Sequence, residues 1–539
     1  MNHFKKYFCI ILSTVLSAFF CVSCGNTEKG NADNAFDGGI FSKQTIRILS
    51  GSENKELEDI LKECAKEKHV GIQITYKGSV DIMNELKNGA KNYDAVWPAS
   101  GMWISLGDTK HITKHDKSIS QSPVVFGIKK SVAESLGFVG KDVSVKDILE
   151  AINSGKLKFC MTSATQSNSG ASAYMGFLYA LTGKKSAITE SDLDSQELKE
   201  NMSGLLSGIN RSSGSSDWLK EMFLKGNYDA MVNYESLIIS ANNELVSQGK
   251  EPLYTIYTTD GLTISDSPLA YVDHGDKDKE EAFLSMQEYL LSDDVQKEIC
   301  KKGRRVESVE DYSQYDDVFR KDWGIDTSKV ISSIQMPNEK TLMKALEMYQ
   351  SSFRKPSLNV YCLDYSGSMD GKGNKQLVEA MGQLLIRKNA EKNFLQPQKN
   401  EVNIVITFSS DILNIYTAEG DDEKTLEKLY SEIKSEKAKG GTDMYVAANK
   451  GLEIISKKYD ISKYSPAVIL MTDGESETTN RDRFMYEYSA KKIDIPVFSI
   501  MFGEADDSQL KELAKISNAK VFDGRKDLVG AFRSVKGYN

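Results

Sequence analysis

From Gln44 onward, strand-like and helix-like segments alternate along most of the chain. TIRILSG (45–51) reads as a strand, ELEDILKECAKEKH (56–69) has the apolar spacing of an amphipathic helix, and GIQITYKG (71–78) is the next strand. Alternation of this kind is typical of parallel α/β sheets, so the predicted fold class is α/β. At 539 residues the chain is too long for one hydrophobic core, which predicts two or three domains.

Two matching segments divide the first part of the chain. SQSPVVFGI begins at Ser120 and SDSPLAYVD begins at Ser265, and each has the form Ser-x-Ser-Pro before a strand. Proline suits the first residue of a strand, where its missing N–H is not needed. The block between them has its own alternating pattern, which indicates two crossings between two lobes. One lobe is predicted at about 44–121 plus 268–352, and the other at 123–265.

This layout resembles the bacterial extracellular solute-binding proteins of the two-lobed, two-hinge type. The resemblance covers about residues 44–352 and includes TSATQSNSGASAYMGFLYALTG (162–183) and GNYDAMVNYES (226–236). It implies a periplasmic-binding-protein-like domain with a ligand cleft between its lobes.

Polar residues follow several predicted strands of this region, and some lead directly into helices. Ligands of open α/β sheets bind beyond the carboxyl ends of the strands, and helix N-termini favour anions. The predicted cleft residues are Ser50, Ser52, Ser79, Ser100, Ser122, Ser167, Asn168, Ser169 and Tyr234. Helix caps and turns require the same residue types, so any one loop taken alone fits a cap better than a ligand contact.

As a set, these residues would suit a small polar solute or an oxyanion without any metal. The lack of arginine in these loops disfavours a strong clamp on a carboxylate. Glu235 disfavours a bare divalent oxyanion beside it.

The last part of the chain has a second α/β pattern. A helix in NEKTLMKALEMYQSSF (338–353), with Leu342, Leu346 and Met348 on its buried side, is followed by a break at FRKPS (353–357). The runs LNVYCL, EVNIVITF and AVILMT are almost entirely apolar, as expected for strands covered on both faces. A doubly wound, Rossmann-like domain is predicted at 357–539.

Small polar residues stand where these apolar strands end. Asp364, Ser366 and Ser368 follow the first strand, Thr442 lies in a Gly-Gly loop before a helix, and Asp473 ends AVILMT. Parallel strands share one carboxyl edge, so all five residues should meet there. Two carboxylates and three hydroxyls suit a hard divalent cation. The alternative is that each residue only closes a turn.

The segments DYSGSM, GGTD and MTDG resemble the metal-ion-dependent adhesion site of von Willebrand factor A domains, and the resemblance covers 357–539. It implies that Ser366 and Ser368 coordinate Mg²⁺ (or Mn²⁺) directly, that Asp364 and Asp473 act directly or through water, and that Thr442 does either. An Asp or Glu of a partner protein would take the open position. In some members of the family such ligation shifts the last helix, here DLVGAFRSV (527–535). Of the two adjacent acids, Asp443 is expected to cap the following helix and Glu475 is expected to face solvent.

The N-terminus predicts export. Lys5 and Lys6 precede an apolar run that ends in CVSCG, which is typical of a secretory signal over residues 1–23. The end of the run resembles a bacterial lipobox with Cys24 as the lipidated residue. An uncleaved membrane anchor is the alternative. Residues 24–43 are predicted to be a flexible tether.

The net charge disfavours one class of partner, and the cysteine usage does not indicate a disulfide framework. Loss of the signal removes two lysines and no acid, so the net charge moves from −9 to −11, which disfavours nucleic acid. The remaining cysteines, predicted as buried free thiols, are Cys64, Cys160, Cys300 and Cys362. The expected location is the cell envelope, with the lipid as the only membrane contact.

These features predict a non-catalytic, tethered binding protein that grips an envelope or extracellular protein through a metal, with the two-lobed domain as solute sensor or scaffold. The alternative is the solute receptor of an ABC transporter with an accessory C-terminal domain. An enzyme is the weakest reading, because no histidine lies in these loops; the five are His3, His69, His111, His115 and His274.

Overall fold

The computed structural model describes residues 34–39, 42, 44–392, 395–473, 475–490, 494–502, 507–525 and 528–537. The predicted signal, Cys24 and much of the tether lie outside the described residues. Within them the chain forms three six-stranded sheets with helices packed on their faces. The predicted α/β fold class is confirmed.

The strands are β1 Asn34–Phe36, β2 Thr45–Ser50, β3 Gly71–Tyr76, β4 Ala95–Trp97, β5 Thr113–Ser118, β6 Ser122–Lys129, β7 Phe159–Thr162, β8 Ile209–Ser213, β9 Ala230–Tyr234, β10 Leu253–Ile256, β11 Thr263–Ser265, β12 Pro268–Val272, β13 Ser357–Asp364, β14 Val402–Phe408, β15 Ile412–Glu419, β16 Ser465–Thr472, β17 Val497–Met501 and β18 Val521–Asp523.

The helices are α1 Glu58–Lys68, α2 Ser79–Lys87, α3 Gly101–Gly107, α4 Lys130–Ser135, α5 Val145–Asn153, α6 Asn168–Thr182, α7 Gln196–Ser207, α8 Ser216–Lys225, α9 Glu235–Ser247, α10 Lys277–Leu290, α11 Asp293–Lys301, α12 Glu339–Met348, α13 Lys372–Leu385, α14 Arg387–Lys392, α15 Glu423–Ser435, α16 Met444–Lys458, α17 Arg481–Ala490, α18 Ser508–Ile516 and α19 Leu528–Gly537.

The first two sheets form the two lobes. The first lobe is built on the strand order β1-β3-β2-β4-β12-β5, and the second on β10-β6-β9-β7-β8 with β11 paired to β6. The chain passes from the first sheet to the second between Ser118 and Ser122, and returns between Ser265 and Pro268. Both passages coincide with the Ser-x-Ser-Pro segments.

The third sheet has the order β15-β14-β13-β16-β17-β18. All its neighbouring pairs are parallel except β14–β15, which places one antiparallel strand at an edge. The eight residues of β13 and the seven of β14 are all buried, because helices cover both faces of the sheet. Leu363 packs in the core on one face and Val360 in the core on the other.

One part of the predicted tether is ordered against the first lobe. Asn34–Phe36 pairs antiparallel with β3, and the Phe36 side chain packs against the core of that lobe. The prediction of a flexible tether over 24–43 is therefore wrong for these three residues. A three-residue strand is too short to show a period in the sequence, and its partner is remote along the chain.

Helix α12 and the single π turn Tyr349–Phe353 that continues it lie in a different lobe from the one predicted. This segment was expected in the first lobe, within 268–352. Its residues Leu342, Leu346 and Tyr349 lie instead in the core of the second lobe, and the Tyr174 hydroxyl donates to the Ala345 carbonyl at 2.9 Å. The chain thus crosses between the lobes a third time, back to the second lobe, before it enters the C-terminal domain.

The four cysteines Cys64, Cys160, Cys300 and Cys362 are free and buried, as predicted. Burial raises the pKa of each thiol, to about 12 for Cys64 and Cys300. They are small apolar core residues rather than reactive groups.

Candidate functional site

The carboxyl ends of three strands of the third sheet meet at one edge. β13 ends at Asp364, β14 at Phe408 and β16 at Thr472. The parallel register places Asp364 beside Phe408 and Leu363 beside Met471. The loops after β13 and β16 therefore begin side by side, at the place where the sequence predicts a metal site.

Three predicted ligands form a chain of oxygens along these loops. The Ser366 Oγ lies 3.0 Å from the Ser368 Oγ, and the Ser368 hydroxyl donates to Asp473 Oδ1 at 3.0 Å. Adjacent oxygens of an octahedral shell with Mg–O distances of about 2.0–2.1 Å stand about 2.9 Å apart. The spacing of these three oxygens fits such a shell.

Asp364 lies behind them and is fully buried. Its Oδ1 accepts a hydrogen bond from the Ser366 N–H at 2.8 Å, and its Oδ2 accepts one from the Thr472 hydroxyl at 2.6 Å. Burial raises the pKa of Asp364 to about 6 against these hydrogen bonds, and the nearby Asp473 charge adds to the rise. Both carboxylate oxygens are engaged, so Asp364 fixes the path of the Ser366 loop.

The Gly-Gly loop brings Thr442 to the same edge. Gly440 has a φ of +84°, a left-handed conformation that favours glycine, and its carbonyl accepts from the Gly367 N–H at 2.9 Å. The Thr442 carbonyl accepts from the Glu477 N–H at 2.8 Å, and the Thr442 residue is buried. The loop is thereby tied to both of the loops that carry the other four residues.

The two adjacent acids behave as predicted. Asp443 Oδ1 accepts from the backbone N–H groups of Tyr445 and Val446 at 3.1 and 3.2 Å, which caps α16. Glu475 is exposed.

In the part of the chain that the structure describes, no group of three or more His, Cys, Asp or Glu side chains is placed to hold a metal ion. The sheet-edge site has a different composition, with two carboxylates and three hydroxyls. An all-oxygen donor set of this kind is chemically suited to Mg²⁺ or Mn²⁺ and poorly suited to softer metals.

A second candidate site lies between the two lobes. A cavity of about 10 Å³, room for roughly one water molecule, is lined by Glu53, Ala99, Ser120, Ser122, Tyr234, Ser236, Ser265, Ser267 and Arg304. Of the predicted cleft residues, the cavity brings together Ser122 and Tyr234. Both Ser-x-Ser-Pro segments contribute to it.

Asn168 joins the lobes beside this cavity. Its Nδ2 donates to the Tyr234 hydroxyl at 3.1 Å and to the Ser265 hydroxyl at 2.9 Å. Its Oδ1 accepts from the indole N–H of Trp103, a residue of the first lobe, at 2.6 Å. Asn168 therefore contacts both lobes.

Ser167 and Ser169 lie apart from the cavity. Their hydroxyls are 3.1 and 2.8 Å from the Ser216 hydroxyl, and Ser169 also lies 2.8 Å from Thr162 Oγ1. Their hydroxyls therefore form a small buried cluster between the N-terminal ends of α6 and α8, and Ser167 stands at the N-cap position of α6 without a side-chain cap hydrogen bond.

Each of the four predicted serines of the first lobe accepts a hydrogen bond on its hydroxyl oxygen. The donors are the Asn54 side chain for Ser50 at 3.1 Å, the Asp217 N–H for Ser52 at 3.5 Å, the Ala99 N–H for Ser79 at 3.3 Å and the Met102 N–H for Ser100 at 3.4 Å. The bond to Asp217 crosses between the lobes.

Sequence reasoning missed two charged residues at the cavity. Arg304 is buried and donates to Asn54 Oδ1 at 3.2 Å and to the Glu53 carbonyl at 2.5 Å, while its Nε has no partner among the described residues. Glu53 is also buried, with Oε1 unpartnered, and burial raises its pKa to about 7 although the Arg304 charge opposes this. Arg304 follows α11 rather than a strand, so it is not among the polar residues that stand at strand ends.

Glu235 is paired with Arg305, the residue next to Arg304. Arg305 Nε and Nη2 each lie 2.8 Å from one carboxylate oxygen of Glu235, which is completely buried. The pair neutralises the acid. The predicted repulsion of an oxyanion by Glu235 therefore does not apply.

The lobes are closed on each other. Lys55 pairs with Asp217 at 2.9 Å and Lys220 pairs with Glu56 at 3.0 Å, and each pair joins the first lobe to the second. The cavity has room for about one water molecule, so a larger solute requires the lobes to separate and these ion pairs to break.

A substitution at Gly78 tests this closure, because the two lobes are in contact at that residue. A Cβ on Gly78 would lie 2.0 Å from the Gln166 carbonyl oxygen, while the backbone φ of −65° itself allows alanine. Gly78→Ala is expected to part the lobes and to raise the radius of gyration measured by small-angle X-ray scattering. Gly204→Ala, inside a helix of the second lobe, is the control that should scatter like the parent chain. Identical curves for all three proteins would contradict the closed contact.

Two family profiles match the chain. The bacterial extracellular solute-binding protein family matches residues 46–305, and the von Willebrand factor type A domain matches residues 360–528. The chain joins a solute-binding domain to a VWA domain. The first match covers both lobes as far as Arg305, and the second begins within β13 and includes every residue of the sheet-edge site. A comparison with curated protein sequences found no match.

Solved structures similar to the chain include periplasmic binding proteins. The fructose-6-phosphate-bound protein of Actinobacillus pleuropneumoniae is 13% identical, with 51% of this chain and 90% of that chain covered and a TM-score of 0.39. The sulfate-binding protein of Mycobacterium tuberculosis H37Rv is 14% identical, covering 56% and 96% at a TM-score of 0.39. An ABC-transporter substrate-binding protein of Agrobacterium tumefaciens is 9% identical, covering 60% and 98% at 0.43. At these scores the likeness says nothing about the ligand of this chain.

The solute-binding domain indicates an extracytoplasmic protein. In the described part of the chain, no helix has both the length and the apolar character needed to cross a bilayer.

Proposed function

We propose that this chain is a membrane-tethered, extracytoplasmic binding protein whose VWA domain binds a partner protein through a divalent metal. The supporting observation is the convergence of Ser366, Ser368 and Asp473, whose oxygens follow one another at 3.0 Å along the edge of the sheet. A lipid on Cys24 would supply the tether.

Each residue of the site has a defined task in this proposal. Ser366, Ser368 and Thr442 would supply hydroxyl oxygens, and Asp473 would supply a carboxylate oxygen beside them. Asp364 holds the Ser366 backbone and would counter the positive charge from behind. A bound Mg²⁺ or Mn²⁺ would offer an open coordination position to an Asp or Glu of the partner.

The test is capture of envelope proteins on the immobilised full chain in Mg²⁺, in EDTA, and after Mg²⁺ is restored. A protein held in Mg²⁺ and released by EDTA is expected with the parent chain and with Ser410→Ala, a control serine exposed on a neighbouring loop. Ser368→Ala is expected to retain nothing above background. The same proteins held by all three chains regardless of metal would refute the proposal.

A second candidate function belongs to the cleft, as a receptor for a small polar solute or oxyanion, in the manner of a transport component. Arg304 favours an anion, because its buried guanidinium forms no ion pair with any described carboxylate and its Nε has no hydrogen-bond partner among the described residues. The carboxylates of Glu56 and Glu53 act on this charge without forming an ion pair, and an anion in the cleft would supply the acceptor that Nε lacks. The serine hydroxyls around the cavity would complete the set of donors.

Sulfate, phosphate and acetate, matched in ionic strength by chloride, test the cleft in thermal unfolding of the full chain. A cognate anion at 100 times its Kd stabilises a protein by about 2.7 kcal/mol. Arg304→Met is expected to abolish that gain. Arg320→Met removes the same charge at an exposed pair with Asp322 and should keep the gain. Equal shifts in both variants would contradict an anion site at Arg304.

A further inference from the structure

The mouth of the interlobe cleft is covered by the last helix of the VWA domain. Helix α19 lies against Asp81 of the first lobe and against Thr165 and Gln166 of the second lobe, and these three residues are called here the cleft mouth. A groove of about 860 Å³ runs along the junction, with walls from both lobes and from residues of the VWA domain within 520–523 and 529–534.

Arg533 of this helix contacts both lobes. Its guanidinium forms an ion pair with the Asp81 carboxylate, and its Nη2 lies 3.5 Å from the Thr165 carbonyl oxygen. Its own backbone carbonyl accepts a hydrogen bond from the Gln166 side chain. The Arg533 side chain is only 11% exposed and that of Asp81 is 28% exposed, so solvent screens this pair less than an ordinary surface pair.

Backbone packing supports the same contact. A Cβ on Gly537, one turn beyond Arg533, would lie 2.2 Å from the Gln166 side-chain oxygen. The Gln166 carbonyl oxygen is in turn the atom that a Cβ on Gly78 would meet at 2.0 Å. Gln166 is therefore held between the first lobe on one side and the C-terminal helix on the other.

The VWA domain is also bound to the second lobe at separate points. Arg211 pairs with Asp494 at 3.2 Å and donates to the Asn518 carbonyl at 3.2 Å, and Asn518 donates to the Met222 carbonyl at 3.1 Å. The VWA domain and the second lobe thus share several contacts, and Arg533 extends from that unit to the first lobe.

We infer that α19 is a latch that holds the two lobes closed, with Arg533 as its bridging residue. Separation of the lobes must break the pair with Asp81 or pull Arg533 away from Gln166. Because coupling free energies are reciprocal, anything that moves α19 changes the opening of the cleft, and opening the cleft releases α19. The inference goes beyond the proposed function, since it requires neither a metal nor a solute.

The test measures lobe separation in the full chain. Spin labels on Asp294→Cys of the first lobe and Glu197→Cys of the second lobe report the distance between lobes, while hydrogen exchange of 163–170 reports the cleft mouth. Arg533→Gln and Asp81→Asn are each expected to lengthen and broaden the distance. Each should also speed exchange about tenfold, the effect of losing a charged hydrogen bond of about 1.4 kcal/mol.

Two further variants make the result specific. Arg525→Gln removes a nearby arginine that pairs with Asp523 inside the VWA domain, and it should leave distance and exchange unchanged. The double exchange Asp81→Arg with Arg533→Asp restores an ion pair of opposite direction and should recover the closed distance. The latch would be overturned if Arg533→Gln and Asp81→Asn left the lobes closed, or if the double exchange stayed open.

Discussion

The Asp364→Ala variant is expected to bind Mn²⁺ about 100-fold more weakly than the parent chain, the upper end of what loss of an outer partner of a metal site costs. The reason is structural. Asp364 holds the Ser366 N–H with one oxygen and the Thr472 hydroxyl with the other, so its removal frees the loop that carries two predicted ligands. Electron paramagnetic resonance of free Mn²⁺ in a titration of the full chain measures the change.

The control for this prediction is Glu475→Ala. Glu475 is an exposed carboxylate two residues beyond Asp473, so its removal changes the net charge equally without touching the chain of oxygens. Its Mn²⁺ affinity should stay within about threefold of the parent, the scale of a screened surface charge. Equal affinities in the parent and Asp364→Ala chains would place the metal elsewhere.

The Glu401→Ala variant is expected to lose about 3–5 kcal/mol of unfolding free energy, the cost of breaking a buried ion pair from one side. Glu401 is buried and pairs with Arg354 at 3.1 Å and with Lys536 at 3.2 Å. Burial lowers the pKa of Lys536 to about 8 while Glu401 opposes the fall, so the lysine depends on this carboxylate for its charge. Arg354 lies in the segment that enters the VWA domain and Lys536 lies in α19, so the variant should also loosen the C-terminal helix.

Glu453→Ala is the matched comparison in the same urea titration. Glu453 also pairs with two cations, Lys450 at 3.0 Å and Lys457 at 2.9 Å, but all three side chains are substantially exposed on one helix. Surface pairs of this kind contribute about 0–1 kcal/mol, so the loss should be correspondingly small. Similar losses in the two variants would show that the burial of Glu401 has no special energetic role.

The VWA part of the fold was predictable because its signals are local. β13, β14 and β16 are apolar through most of their length, and polar residues with little use in packing stand at or just after their ends. Parallel strands share an edge, so strand order alone brings Asp364 and Asp473 together. Helix capping by Asp443 follows from its position one residue before a helix.

The cleft was less predictable, because its important contacts join residues far apart in the chain. Arg304 reaches the cavity from a turn after α11, and its partners Glu53 and Asn54 lie about 250 residues earlier. Nothing in the local sequence separates it from any other arginine at a helix end. Most of the predicted serines make hydrogen bonds within the fold and do not line the cavity, and Ser100 caps α3, a role that residue type alone could not exclude.

That α19 covers the cleft could also not be predicted from the sequence. Arg533 lies on an amphipathic helix whose apolar residues Ala531, Phe532 and Val535 pack in the VWA core. The periodic pattern shows which face is buried in its own domain, but it carries no information about what contacts the other face. The ion pair with Asp81 links positions more than 450 residues apart.

The most direct test of the central claim is calorimetric titration of Mg²⁺ into the metal-stripped full chain. Saturable binding of one ion per chain, absent from the Asp364→Ala chain and kept by Glu475→Ala, is the result that the sheet-edge site predicts. Absence of saturable binding of both Mg²⁺ and Mn²⁺ at millimolar ion concentrations would contradict a metal-dependent VWA domain.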